Sequence, residues 1–238
     1  MTTVLSWFDP GGVWATLIPW FPLLLKGFGL NIVISALSMV IGILAGAVLG
    51  ALQMSKIKAI GAPARFLTLF LRNSPWLVIV FYVMFLMPFE MRIGSHWVSF
   101  PDWVKAVVAF SLPVTGYISE IVRGGMRSVP TTQWEAAAAL AFGPARTAFS
   151  VILPQAFRQM LPPTMNLYCS VAMATSLANI VGVQEVITVT QTILTTETKP
   201  GLILPAYGVT LVLFFLYVFP ISLLSRRLEK IWGKGIQR

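Results

Sequence analysis

The apolar positions of this chain fall in long uninterrupted runs, not in the alternating or three-and-four spacing that builds a soluble core. Between Lys26 and Lys56 stand 29 consecutive uncharged residues, between Arg158 and Glu185 another 26, and between Lys199 and Arg226 another 26. A helix rising about 1.5 Å per residue needs roughly 20 mostly apolar residues to cross a bilayer, so each run suffices with some tilt. Two shorter runs, 73–89 and 106–119, reach span length by taking in flanking residues such as Arg65 to Arg72 and Glu120 to Arg123. The pattern predicts an all-α integral membrane bundle of about five transmembrane helices, at about 27–52, 63–88, 104–126, 157–183 and 202–226.

Residues 1–22 read as an external segment, 23–231 as the transmembrane domain and 232–238 as a tail. Met1 to Phe21 carries Asp9, Pro10, Gly11 and Gly12 and no basic residue, unlike a secretory signal, so the first span is expected to be retained. Composition agrees with the spans: 57% of residues are apolar and 11% charged, against roughly a quarter charged in a soluble domain. A self-contained soluble enzyme is thereby disfavoured. The 17 Lys and Arg against 8 Asp and Glu give +9, which on a soluble protein would suggest nucleic acid. Here thirteen of those cations fall on one set of alternate loops, and Lys26, Arg92, Lys105 and Lys199 on the other. By the positive-inside rule the first set is cytoplasmic, which puts the amino terminus outside and the tail inside. The charge is an orientation signal, and no nucleic-acid partner follows from it.

Single Cys169 and His96 residues exclude an intrachain disulfide and a Cys/His metal cluster, and no cofactor is expected. Trp7, Trp14, Trp20, Trp97 and Trp103 suit the headgroup zone, where amphipathic rings settle. Gly42, Gly46 and Gly50 repeat every four residues along one helix face, a spacing that lets backbones approach. Packing within the chain is favoured over a dimer seam.

One loop, about 129–156, is too elaborate for a connector. Thr132 followed by Glu135 reads as a capping box opening a short Ala-rich helix, which Gly143-Pro144 breaks. A second helix, interrupted by Pro154, leads back toward the bilayer. Alanines leave little side chain, so such a helix can sit deep in a groove on a partner, with Glu135 as an acceptor.

The sequence Glu135-Ala136-Ala137, continuing to Val151-Ile152-Leu153-Pro154, resembles the EAA loop of ATP-binding cassette importer permeases. Gly116-Tyr117-Ile118-Ser119-Glu120-Ile121-Val122-Arg123-Gly124-Gly125-Met126 upstream resembles the polar amino acid branch of that family. So do Leu153-Pro154-Gln155-Ala156-Phe157-Arg158, Thr175-Ser176-Leu177 and Arg72-Asn73-Ser74-Pro75, and the likeness runs from about 26 to 231. It implies a type I importer permease architecture with a cytoplasmic coupling-helix loop, in a bacterial inner membrane. It also implies an ATPase subunit docked on Glu135, Ala136, Ala137, Ala141, Gly143, Leu153 and Pro154, a second permease subunit, a substrate-binding protein and a polar amino acid as cargo. Two departures stand out. Ala141 occupies the place of the family's loop glycine, so the turn is expected to shift to Gly143-Pro144. Met173-Ala174 replaces a polar pair, which favours a non-identical partner permease over a second copy.

Arg72, Asn73 and Ser74 are candidates for the translocation path, Arg72 either meeting a carboxylate or snorkelling to the interface. Thr175, Ser176 and Asn179 are further candidates, Thr175 and Asn179 sharing an α-helical face. Glu120 and Arg123, three apart, either gate the cytoplasmic mouth or pair as neighbours. The chain lacks Gly-x-x-x-x-Gly-Lys-Ser/Thr, so ATP hydrolysis is assigned to a partner and no catalytic residue to this chain. The rivals are a permease of this architecture for an opine, methionine or similar solute, and an intramembrane enzyme using His96, Asp102, Glu120 or Glu135. The enzyme reading sets those groups on opposite sides of the membrane, where one acid-base site cannot form.

Overall fold

The computed structural model describes residues 12–93, 96–199 and 201–233; residues 1–11 of the expected amino-terminal segment, with Trp7, and 234–238 of the expected tail lie outside them. A short helix α1 (Val13–Leu17) and a tight turn lead into α2 (Phe21–Gln53), which begins before the first charge-free run. There follow α3 (Lys58–Asn73), α4 (Trp76–Leu86), α5 (Asp102–Ser128), α6 (Thr131–Ala139), α7 (Pro144–Thr147), α8 (Leu153–Ala174), α9 (Val186–Thr196) and α10 (Ile203–Gly233).

Among the described residues three helical stretches, Val13–Gln53, Asp102–Ser128 and Ile203–Trp232, are long and apolar enough to cross a membrane, and five if each of two bent pairs counts as one span. The second predicted span is one of those pairs. It breaks into α3 and α4 at Ser74-Pro75, because a residue before proline is pushed out of the α region, and Ser74 is extended at φ −78°, ψ 136°. Its hydroxyl donates to the Phe70 carbonyl at 2.7 Å, closing the end of α3. The fourth span is also bent. After α8 the chain tightens to a 3₁₀ turn over Thr175–Val181 and bends by 49° across Gly182, whose φ of 89° suits a residue without Cβ. Helix α9 occupies the stretch between the fourth and fifth expected spans. The loop before α5 departs from an all-helical reading with a two-stranded antiparallel ribbon, β1 (Glu90–Ile93) and β2 (His96–Ser99), in which Arg92 faces Trp97.

The contacts divide the chain into two compact units. The first comprises the described residues up to Leu37 with Trp76–Phe110 and Val171–Phe219. One of its cores sets Leu24 and Phe28 of α2 against Val186, Val189 and Ile193 of α9 and Ala206 of α10, with Phe214 edge-on to Phe28 at 5.2 Å. Another gathers Ile34, Val80, Met84, Ala106 and Phe110 around Ala178 and Val183.

The second unit comprises Ser38–Pro75, Ser111–Ser170 and the chain from Pro220. Its glycine stripe packs within the chain: a Cβ on Gly46 would lie 2.6 Å from Ile118 Cβ, and one on Gly50 2.8 Å from the Ser119 carbonyl. Lipid gives two apolar helices no hydrophobic drive to associate, so close backbone approach supplies dispersion contacts instead. A buried polar chain runs beside that seam. Gln53 Nε2 donates to Thr68 Oγ1 at 2.9 Å, and the Thr68 and Ser119 hydroxyls share a bond of 2.9 Å.

Candidate functional site

The Ala-rich helix α6 forms where expected, but the capping box does not. Helix α6 starts at Thr131 behind Pro130, no side chain caps it, and Thr132 lies inside its first turn with Glu135 exposed. Proline at the boundary fixes the backbone for entry, and the Gln133 amide donates to the Pro130 carbonyl at 3.0 Å in the first turn. One face holds α6 in place: Ala137 is buried and Trp134 packs with Met126, Val129, Ile152, Ala156 and Met160. Glu135, Ala136, Ala138 and Ala139 are exposed, as are Leu140 at 70% and Phe149 at 71%.

The turn after α6 corrects the expected shift to Gly143-Pro144. Ala141 takes the left-handed conformation itself, with φ 56°, while Gly143 is extended at φ −68°, ψ 160° and precedes Pro144 at the start of α7. The Phe142 amide donates to the Ala137 carbonyl at 3.0 Å and the Ala141 amide to Ala138 at 2.9 Å. Those two bonds make a Schellman end, which satisfies carbonyls that α6 would otherwise leave open. From Ala148 to Ile152 the helix widens into a π turn ahead of Leu153 and Pro154. A proline ring in an α-helix collides with the carbonyl four residues back, and the wider turn relieves that collision. The helix therefore runs on through Pro154 into α8 without stopping.

Arg72, Glu120 and Arg123 come together in the second unit. Arg123 grips Glu120 with a forked pair of bonds, Nη2 to Oε2 at 2.6 Å and Nε to Oε1 at 3.1 Å, as neighbours three apart on α5. Arg72 stands 3.7 Å from the same carboxylate, over the Tyr117 ring at 5.3 Å, with its buried Nε lacking a hydrogen-bond partner. A guanidinium carries five donors, so this one retains capacity for a second anion. Arg72, Tyr117, Glu120, Gly124, Gln159 and Pro163 border a cleft of about 370 Å³. Two cations against one carboxylate leave it net positive. Asn73 is exposed nearby in sequence, and Ser74 serves as the stop of α3.

The first unit corrects the pairing of Thr175 with Asn179. Their segment is 3₁₀, where residues three apart share a face, so Thr175 lies with Ala178 in the core and Ser176 with Asn179 outside it. Thr175 is a structural partner: its hydroxyl accepts from Asn31 Nδ2 at 3.0 Å. Asn31 also donates to Glu185 Oε2 at 2.9 Å and accepts from the Val186 amide at 3.2 Å. Glu185 has no exposed surface and accepts from the Thr188 amide at 3.0 Å, capping α9. Sequence reasoning passed over Asn31 and Glu185. The signal was available, since an amide inside the first apolar run and an acid at the end of the fourth span are costly in lipid unless paired. Among the described residues no group of three or more His, Cys, Asp or Glu comes together.

The sequence profile of the family described as "Binding-protein-dependent transport system inner membrane component" matches residues 17–230. The chain is 36% identical over 167 residues to the "Probable amino-acid ABC transporter permease protein YckA" of Bacillus subtilis (strain 168), covering 70% of this chain and 71% of that relative. It is 34% identical over 177 residues to the "L-cystine transport system permease protein TcyB" of the same organism, covering 71% and 73%. In fold it resembles a chain of a solved structure, "Crystal structure of an amino acid ABC transporter with histidines", with a TM-score of 0.77 and 23% identity over 91% of this chain and 97% of that one.

Proposed function

Because the chain belongs to the family of inner membrane components of binding-protein-dependent transport systems, we propose that it is the permease subunit of an ABC importer carrying a polar amino acid into the cytoplasm. The observation that carries the reading is α6. It is a small-residue helix pinned by Trp134 and Ala137, with Glu135 and the alanines beside it left outward. A surface of that shape fits a groove on another protein, and the ATPase that this chain lacks is the occupant proposed. The relatives named for amino acids and cystine support the cargo. Thirteen cations on one set of loops support a cytoplasmic placement for α6 and the carboxyl terminus.

In this reading a substrate-binding protein delivers the solute from outside, and closure of the paired ATPases draws the coupling loops together. The spans then expose the path to the cytoplasm. About five spans are few for a carrier built from two repeated halves, so a second permease subunit completes the path. Met173, 51% exposed where a polar residue is usual, favours a non-identical partner. The forked Glu120–Arg123 pair, with Arg72 beside it, is proposed to border the cytoplasmic mouth.

Glu135→Lys tests the docking. Reversing the charge should abolish co-purification of the ATPase subunit and ATP-driven uptake into vesicles, while membrane insertion stays intact. Normal co-purification with normal uptake would sink the assignment.

A further inference from the structure

The exposed surface of the first unit is not uniform. Helix α2 presents Leu25, Val33 and Leu37 outward, and α10 presents Leu211, Val212 and Phe215, all suited to acyl chains. Helix α9 differs. It turns Val186, Val189 and Ile193 inward and leaves Gln191, Thr192 and Thr195 exposed, with no charged residue anywhere in its length. The Thr192 and Thr195 hydroxyls donate back to their own helix at 2.9 Å each, a state that lipid tolerates. Gln191 is not so provided for. Asn179 Nδ2 donates to Gln191 Oε1 at 2.9 Å and to Thr188 Oγ1 at 3.1 Å, whereas Gln191 Nε2 returns only a bond of 3.5 Å to Asn179 Oδ1. That leaves an exposed carboxamide with an N–H and lone pairs still to place. Hydrocarbon offers it nothing, and water or a polar solute does.

We infer that this face, Gln191 and Thr192 of α9 with Asn179 and Ser176 of the preceding turn, lines the aqueous path and selects the solute by neutral hydrogen bonds. The inference rests on the import function proposed above and adds to it the surface that recognises the cargo. Amides and hydroxyls donate and accept without imposing a charge, so the face discriminates by the placement of polar groups on the solute. A site built to hydrogen-bond a polar group rejects an analogue lacking it far more strongly than an apolar pocket rejects an extra methylene.

The single, buried Cys169 makes the test direct. In a Cys169→Ala background, Gln191→Cys, Thr192→Cys and, as the lipid-facing control, Leu211→Cys are placed in the full complex in vesicles. Uptake of L-glutamine, L-arginine, L-glutamate and L-cystine is measured first, and the one accumulated becomes the protecting solute. If none is accumulated by the unsubstituted complex, the import function fails, separately from this inference. A membrane-impermeant thiol reagent should label positions 191 and 192 but not 211, and saturating solute with its binding protein should slow labelling about ten-fold. Gln191→Leu should raise KM about ten-fold with kcat nearly unchanged, the worth of one or two hydrogen bonds to a solute. Labelling equal to that at 211, labelling indifferent to solute, or an unchanged KM would each overturn the assignment.

Discussion

At the scale of single residues, Ala141 shows how a sequence rule can be right about the place and wrong about the response. The left-handed turn stays at position 141 because the Schellman bonds to Ala137 and Ala138 demand it there, and the alanine bears the strain. A side chain in that conformation costs about 1–2 kcal/mol. Ala141→Gly removes that cost while giving up part of it to the looser unfolded chain, a net gain of about 1 kcal/mol. Amide hydrogen exchange across 136–142 should slow about five-fold, and unchanged exchange would mean that the turn is relaxed with alanine. Thr175 and Glu185 were less legible. Their burial depends on the 3₁₀ tightening before Gly182 and on Asn31 arriving from a helix more than a hundred positions away, neither of which a local pattern encodes.

At the scale of elements, hydrophobic run length located the helices because crossing a bilayer imposes a minimum length on any apolar segment. It did not reveal the interruptions. Ser74-Pro75 and Gly182 are visible as residues, yet whether a proline or glycine kinks a helix, ends it or is absorbed depends on its neighbours. Pro113 lies within α5 and Pro63 within α3, while Pro75 follows a break. The four-residue glycine spacing was the clearest pairing signal in the sequence, and its partner is the Val114 to Val122 side of α5. Gly46→Leu must push Ile118 aside, and overpacking of that kind typically costs about 1–3 kcal/mol. The variant should lower the melting temperature of the purified complex by several degrees, whereas Gly29→Leu, with open space around its Cβ position, should not. Equal effects from the two would show that the seam is not tightly packed.

At the scale of the whole molecule, composition and charge were enough to establish a multi-pass membrane protein, and the Ala-rich loop with its flanking motifs was enough to identify the family that the profile match supports. The cleft beside Arg72 was half legible. The arginine stood out as a charge at the edge of an apolar run, but its position over Tyr117, competing with Arg123 for Glu120, comes only from the packing of α3 on α5. Arg72→Ala should leave assembly intact, because Arg123 already holds Glu120 by two bonds, and should reduce uptake of carboxylate-bearing solutes. Full uptake at normal expression would make Arg72 an interfacial anchor and nothing more.

The π turn at Ala148–Ile152 also fixes the direction in which the exposed face of α6 looks. It holds an extra residue per turn compared with an α-helix, so the azimuth of α6 and α7 about the axis of α8 is set by the length of this one stretch. Removing one residue there would swing α6 by about 100°, roughly a quarter of a revolution, with every one of its exposed side chains still present. The exposed surface of α6 is thus specified twice, once by what it displays and once by the direction in which a five-residue collar points it.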